Sequence, residues 1–457
     1  MIVLVLLGCP KPAQPVGPPE PTEAVAEIEL FSDAELVAWA EELVPLVEKH
    51  GGARFREPPP VEAFTVEELR SFAGRESKLI MDMLYRDTPE AVRQAHAEAE
   101  AGVSLRGLFG KYGIFTGKVY VVRESLVKVA DEQGPEVARN VGRLVLAHEL
   151  GHALQAAQED DPAGRIGELM DQDHFHGWSA VSEGGANLIA KGVAEELGLT
   201  EAFWTLSRMQ GWDQEGLQDP GAYDIWMRYG RGLAMLEEVV RDGGMDAFWA
   251  WHHAPPASSS MIFRPDTYSP TPPTRDLDYA AVLRGTDQAL TRGAWLAANS
   301  RLGEYVLRGE AIRTGKEDEL EAVLAHLVDA QRLELTLPDR AGDIRYLRFD
   351  GAEVAREYLA LLRAEQTVEG QRLARQLGVT VEVTYAPVND VEGDASLLRT
   401  QRIPTGGGSF VESRTAWVAR GPDVVQVAAE RFRPGLRLAN TIEAVFSQLE
   451  AVRAPQP

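Results

Sequence analysis

The sequence predicts an α+β protein: a mainly helical body with a short β edge, followed by a smaller C-terminal α+β region. Three observations carry this. Apolar residues recur at helical spacing over most of the chain to about residue 275. One stretch, 107–122, is instead dense in Gly, aromatic and β-branched residues. Beyond residue 330 the periodicity changes, and short apolar runs suited to strands alternate with helical segments.

Taken in order, Leu30, Leu36, Ala38, Leu43 and Leu46 mark a first helix, and Ser32-Asp33-Ala34-Glu35 reads as a capping box that opens it. Pro58-Pro59-Pro60 breaks the chain, and helices are expected again over 66–72, 78–85 and 89–101. The stretch 107–122, with Gly110, Gly113 and Gly117 among Phe109, Tyr112, Val119 and Val121, reads as a hairpin or a pair of edge strands. Pro135 stands near the start of a strong helix running to about Gln158, followed by a polar loop over 159–177 and a helix over 178–197. Further helices are expected over 201–209, 223–240 and 246–251. Ser269-Pro-Thr-Pro-Pro-Thr274 is the clearest internal break. Residues 277–326 look helical; 332–337, 344–349, 379–388, 413–419 and 424–429 look like strands; 352–377 and 438–452 look like helices.

The chain has 457 residues, with 46 Lys+Arg against 70 Asp+Glu and a net charge of -24. Such acidity excludes a nucleic-acid partner held by phosphate neutralisation. Cys9 is the one cysteine, so an intrachain disulfide is excluded.

The chemistry is concentrated in Leu146-Ala147-His148-Glu149-Leu150-Gly151-His152. Two His four residues apart on a helix share one face and can hold one Zn²⁺. Glu149, next to His148, is placed to take a proton from an attacking water. Val141, Leu144, Val145, Leu150 and Leu154 supply the apolar flank of a buried helix. A catalytic zinc has three protein ligands and one open position. Gln155 and Gln158 stand where a metzincin would have Gly and His, which excludes that pattern. The best third ligand is Glu183, in Val181-Ser182-Glu183-Gly184-Gly185-Ala186-Asn187; its small neighbours would let two helices approach closely. Asp171, Asp173, His174 and His176 are rivals, in what reads as a solvated polar loop. Gly406-Gly-Gly408-Ser409 reads as a turn between strands, Phe248-Trp249-Ala-Trp251 as core, and 317–321 as a solvated acidic helix face.

These residues resemble the gluzincin clan of zinc metallopeptidases, in a bacterial lipoprotein branch, and the likeness spans roughly 105–310, including Tyr229-Gly230. The resemblance implies a zincin-like core, a Zn²⁺ held by His148, His152 and Glu183, Glu149 as general base, and a peptide or protein substrate. It implies that Asn187, one turn after Glu183, orients a ligand His in place of the usual acidic residue. It implies that Tyr229 steadies the oxyanion, with Tyr223, His252 and His253 as alternatives, and that the strand over 117–122 pairs with an extended substrate. The string Leu6-Leu7-Gly8-Cys9, after an apolar run and before a Pro-rich segment, resembles a bacterial lipobox. It implies lipidation of Cys9 and a cell-envelope location, anchored to a bacterial membrane, the outer membrane on its periplasmic or surface face. The expected organisation is therefore 1–22 as signal remnant and tether, 23–275 as the metallopeptidase-like body, 276–329 as a helical connection and 330–457 as the α+β region. The alternative function is a non-catalytic lipoprotein that keeps the fold for binding or assembly.

Overall fold

A computed structural model of the chain describes residues 30–453, apart from 87, 92, 95–96, 99–107, 170, 213–219, 272–294, 313–316, 338–339, 364–379, 390, 407–408 and 431–437. Cys9 and the Pro-rich segment after it lie outside the described residues, as does the second half of the break at 269–274. The fold is α+β, with a mainly helical part and a β-rich C-terminal part. It divides into two compact units. One takes the chain up to Glu76, Glu100–Ala163 and Ala180–His252; the other takes Ser77–Ala99, Gly164–Ser179 and His253 onward.

In the first unit, helix α1 (Asp33–Gly51) opens on the expected capping box: Ser32 Oγ accepts from Glu35 N at 3.2 Å, and Glu35 Oε2 accepts from Ser32 N at 2.9 Å. After the proline break the chain forms strand β1 (Val61–Phe64), which sequence periodicity does not reveal because it is only four residues long. Helix α2 (Val66–Leu84) is one continuous helix where two were expected. Strands β2 (Gly110–Gly113) and β3 (Lys118–Val122) form the expected hairpin. The sheet order is β1-β3-β2, with β1 parallel and β2 antiparallel to β3. The strand proposed as the substrate-pairing rim, 117–122, is therefore the central strand, with both sides occupied, and β2 is an edge.

Helix α3 (Pro135–Ala157) is the spine of this unit. Val141, Leu144, Val145, Leu146, Leu150 and Leu154 are buried in one apolar core with Leu36, Trp39 and Leu43 of α1 and Val119 and Val121 of β3. Helix α4 (Gln172–Glu196), whose residues up to Ser179 fall in the second unit, starts six residues earlier than expected. The reason is local: Asp171 Oδ1 accepts from His174 N at 3.0 Å, an N-cap that draws Asp173, His174 and His176 into the first turns instead of a loop. Helix α5 (Gly232–His253) follows a π-helical turn, Trp226–Arg231.

In the second unit, seven antiparallel strands stand in the order β4-β5-β6-β10-β9-β8-β7. They are β4 (Trp295–Arg301), β5 (Leu327–Leu337), β6 (Arg340–Phe349), β7 (Glu382–Ala386), β8 (Ala395–Gly406), β9 (Ser409–Arg420) and β10 (Asp423–Glu430). Helix α6 (Leu438–Arg453) lays Ile442, Val445, Phe446 and Leu449 on one face, against Val418, Val425 and Val427. The other face buries Trp417, Ala419 and Val424 with Phe349 and Tyr358. Both faces are covered, so β9 and β10 read as continuous apolar runs rather than alternating ones. Two strands correct the reading from sequence. β4 lies within the stretch expected to be a helical connection, and β8 was not expected at all. Its Arg399, Arg402 and Pro404 obscure the pattern. Gly406 pairs with Ser409 at the β8–β9 turn, as expected of that Gly-rich string.

Candidate metal centre

Three side chains from two helices of the first unit meet. His148 Nε2 and His152 Nε2 of α3 are 3.1 Å apart, and Glu183 Oε2 of α4 lies 3.0 Å from His152 Nε2 and 3.4 Å from His148 Nε2. Four-residue spacing puts both imidazoles on one face, as the motif requires. The helices come together at Gly151, where a Cβ would stand 3.1 Å from Ala186 Cα. Of the three small residues expected to allow this approach, only Ala186 faces α3 backbone to backbone. Gly184 lies against Gly232 of α5, where a Cβ would come within 2.4 Å of backbone, and Gly185 lies against Phe248 and the Gln155 amide.

The surroundings fix how the two imidazoles point. Tyr229 O accepts from Asn187 Nδ2 at 3.2 Å, which turns Asn187 Oδ1 toward His148 Nδ1 at 2.8 Å. Nδ1 must then carry the proton, leaving the Nε2 lone pair for a metal. His152 is held similarly: its Nδ1 is 3.3 Å from Gln155 Oε1, and Gln155 Nε2 donates to Ser182 O at 2.8 Å. Gln155 was read only as a departure from another metal pattern. The one sequence signal for its role is an amide placed about one turn after His152.

Glu149 is buried but is not part of this group of three. Its Oε2 accepts from Tyr112 N at 2.6 Å. On β2, Phe109 O accepts from Val122 N, so by alternation Gly110 and Tyr112 turn their main-chain groups away from β3, toward the site. Gly110 permits the approach, since a Cβ there would stand 2.6 Å from Val145 and 2.9 Å from the Glu149 side chain.

Electrostatics in the cluster follow from these contacts. Burial alone would push His152 down, but the Glu183 carboxylate beside it, helped by Glu149, holds it up at about 9. Burial alone would raise Glu183, and the two imidazoles outweigh that and keep it well below its ordinary value. Tyr229 is raised well above its ordinary value, first by burial and then by the charge of Glu183, whose carboxylate its hydroxyl contacts. Its ring stacks on His148 at 5.8 Å and on Trp212 at 5.6 Å. Tyr229 sits in the π-helical turn, a backbone irregularity that recurs at functional sites. Lys111 on β2 was not anticipated. Its Nζ is 2.6 Å from Glu76 Oε2. Burial works against its charge, but Glu76, and then Glu149 and Glu183, raise it above its usual value.

The expected alternatives fall elsewhere. Tyr223 is buried, and His252 Nε2 is 3.4 Å from Glu159. Asp171, Asp173, His174, His176 and His253 belong to the second unit. There Arg301 Nε donates to Asp171 Oδ2 at 2.9 Å, Ser259 N donates to Asp173 Oδ1 at 2.9 Å, and His176 stacks on Tyr305 at 3.7 Å.

The donor set fits a zinc ion. Ligands about 2.0–2.1 Å from a tetrahedral centre lie roughly 3.3 Å from one another. The three atoms here are separated by 3.0–3.4 Å.

No protein-family model matches the chain, and no curated protein matches it. Among solved structures there is similarity to a "putative hydrolase with a novel fold" from Chloroflexus aurantiacus, at 17% identity and a TM-score of 0.37, covering 51% of this chain and 87% of that one.

Proposed function

We infer that the chain is a zinc-dependent metallopeptidase of the gluzincin type. The convergence of His148 Nε2, His152 Nε2 and Glu183 Oε2, with Glu149 standing beside them outside the ligand set, carries this reading. When bound, zinc supplies a Lewis acid and lowers the pKa of water to about 7. His148, His152 and Glu183 would hold it. Glu149, set by the Tyr112 amide, accepts the proton of the attacking water and returns it to the leaving nitrogen. The Tyr229 hydroxyl, kept protonated by burial, is a donor for the developing oxyanion. On the edge of β2 the Tyr112 amide is taken by Glu149, and the Tyr112 carbonyl, which faces away from β3, can accept from an extended peptide. A structural zinc would be closed by a fourth protein ligand, whereas the group among the described residues has three. This favours catalysis over the binding-only alternative. Lipid anchoring through Cys9 in a bacterial envelope belongs to the same proposal and rests on sequence alone. Loss of membrane fractionation in Cys9→Ser is its test.

The deciding experiment is cleavage of a broad peptide library by zinc-loaded wild type and by Glu149→Gln. Wild type is expected to cleave and the variant not to. Stoichiometric zinc with no cleavage by wild type would establish the binding-only alternative.

A further inference from the structure

A cavity of about 350 Å³ opens in the first unit beside β2 and α3. Ala153, Ala156 and Ala157 form one wall. Counted from Glu149 they stand at i+4, i+7 and i+8, so they continue the helix stripe that Glu149 begins. The cavity therefore starts about one turn, roughly 5 Å, along α3 from the general base. Tyr112 joins the two: it lines the cavity and its amide holds Glu149. Phe55 and the run Pro58–Pro60 also line it. Glu57 is the one carboxylate among the described lining residues, and it is exposed.

We propose that this cavity is the subsite that receives a large uncharged apolar or aromatic side chain of the peptide, and that Ala156 sets its depth. This rests on the peptidase reading given above. A peptide paired along β2, with its scissile bond at Glu149, has a neighbouring residue alongside Tyr112, where the cavity begins. Three alanines in a row on the Glu149 stripe leave the space that a larger residue would fill. At Gly151 a small residue serves helix contact with Ala186, but at these alanines it borders open volume. Alanine, phenylalanine and proline walls match an apolar side chain. No Lys, Arg or His lines the cavity, and Glu57 stands at it, so an acidic side chain is rejected.

The test uses the full-length protein, wild type and Ala156→Phe, with blocked fluorescent peptides that differ only in one residue, Phe, Ala or Glu. Cleavage is followed as kcat/KM, and binding by fluorescence anisotropy. Wild type should cleave and bind the Phe peptide at least about tenfold better than the Ala peptide. Ala156→Phe should lose that preference while cleaving the Ala peptide within about threefold of wild type. Should Ala156→Phe fail to fold, Ala156→Leu and the surface change Glu57→Lys take its place. Glu57→Lys should raise cleavage and binding of the Glu peptide. Cleavage with no preference for Phe, or with a preference that pocket filling leaves intact, overturns the subsite and leaves the peptidase standing. A binding preference that Ala156→Phe abolishes, with no cleavage of any peptide, supports the subsite and overturns the peptidase. Neither cleavage nor a binding preference overturns both.

Discussion

Two buried, carboxylate-bearing clusters in this molecule are built on opposite principles. In the second unit, Asp171 is met by Arg301, which also donates to Ala257 O at 2.7 Å, and Asp173 accepts from both the backbone and the hydroxyl of Ser259. A Cβ at Gly303 would collide with Asp173, so the backbone there closes directly on the carboxylate. Protein groups complete this cluster. In the first unit, the two imidazole Nε2 atoms and a Glu183 oxygen instead converge to within 3.0–3.4 Å of one another, while side-chain amides behind them face the Nδ1 positions. A buried charge that protein donors satisfy holds a fold together. Buried acceptors that converge, each oriented from behind, are the arrangement of a metal site.

That contrast can be broken at either cluster. The largest expected effect is Glu149→Gln, which should lower kcat/KM by about 10²–10⁴-fold with zinc content unchanged, because a proton acceptor is lost and no ligand is. Steady-state kinetics beside metal analysis would show it. Next is Arg301→Met, which strips the cation from Asp171 and should destabilise the second unit by about 3–5 kcal/mol without altering zinc affinity. Denaturant unfolding and a zinc titration would separate the two readouts. Asn187→Leu should weaken zinc binding about 10–100-fold by releasing the Nδ1 side of His148, with little change in unfolding midpoint of the zinc-free protein.

The smallest effect is one of pH. Burial, and then the charge of Asp171, raises Asp173 to about 6. A carboxyl that binds its proton more tightly in the folded chain contributes stability that is complete below its unfolded pKa of about 4 and is lost as pH rises through about 6. Wild type should therefore lose roughly 2 kcal/mol between those values relative to Asp173→Asn, read as the difference in denaturation midpoints across that window. A parallel pH profile for the two proteins would show that folding leaves the proton affinity of Asp173 unchanged, and would contradict this account.

The residues of the candidate metal cluster could be picked out because their signal is local. His148, Glu149 and His152 lie within one helical turn and a residue, and Glu183 and Asn187 repeat the same spacing on the next helix. The helices and the hairpin were legible for the same reason, and so were five of the seven strands in the large sheet. What sequence hid was tertiary. Whether 117–122 is a rim or a centre depends on β1, four residues that follow a proline run some fifty residues earlier. β4 and β8 carry polar and charged residues because their neighbours, not their own alternation, hold them in the sheet. Lys111 and Glu76 meet across separate elements, so neither looks special in its own segment. Gln155 looked like a mismatch until its partner Ser182 was placed beside it.

The central claim is that His148, His152 and Glu183 together hold a zinc ion, and elemental analysis of purified protein tests it most directly. Wild type is predicted to carry one zinc per chain, and Glu183→Ala to carry almost none while keeping its circular dichroism and its unfolding transition. Wild type without stoichiometric zinc, or a folded Glu183→Ala that retains it, would contradict the claim.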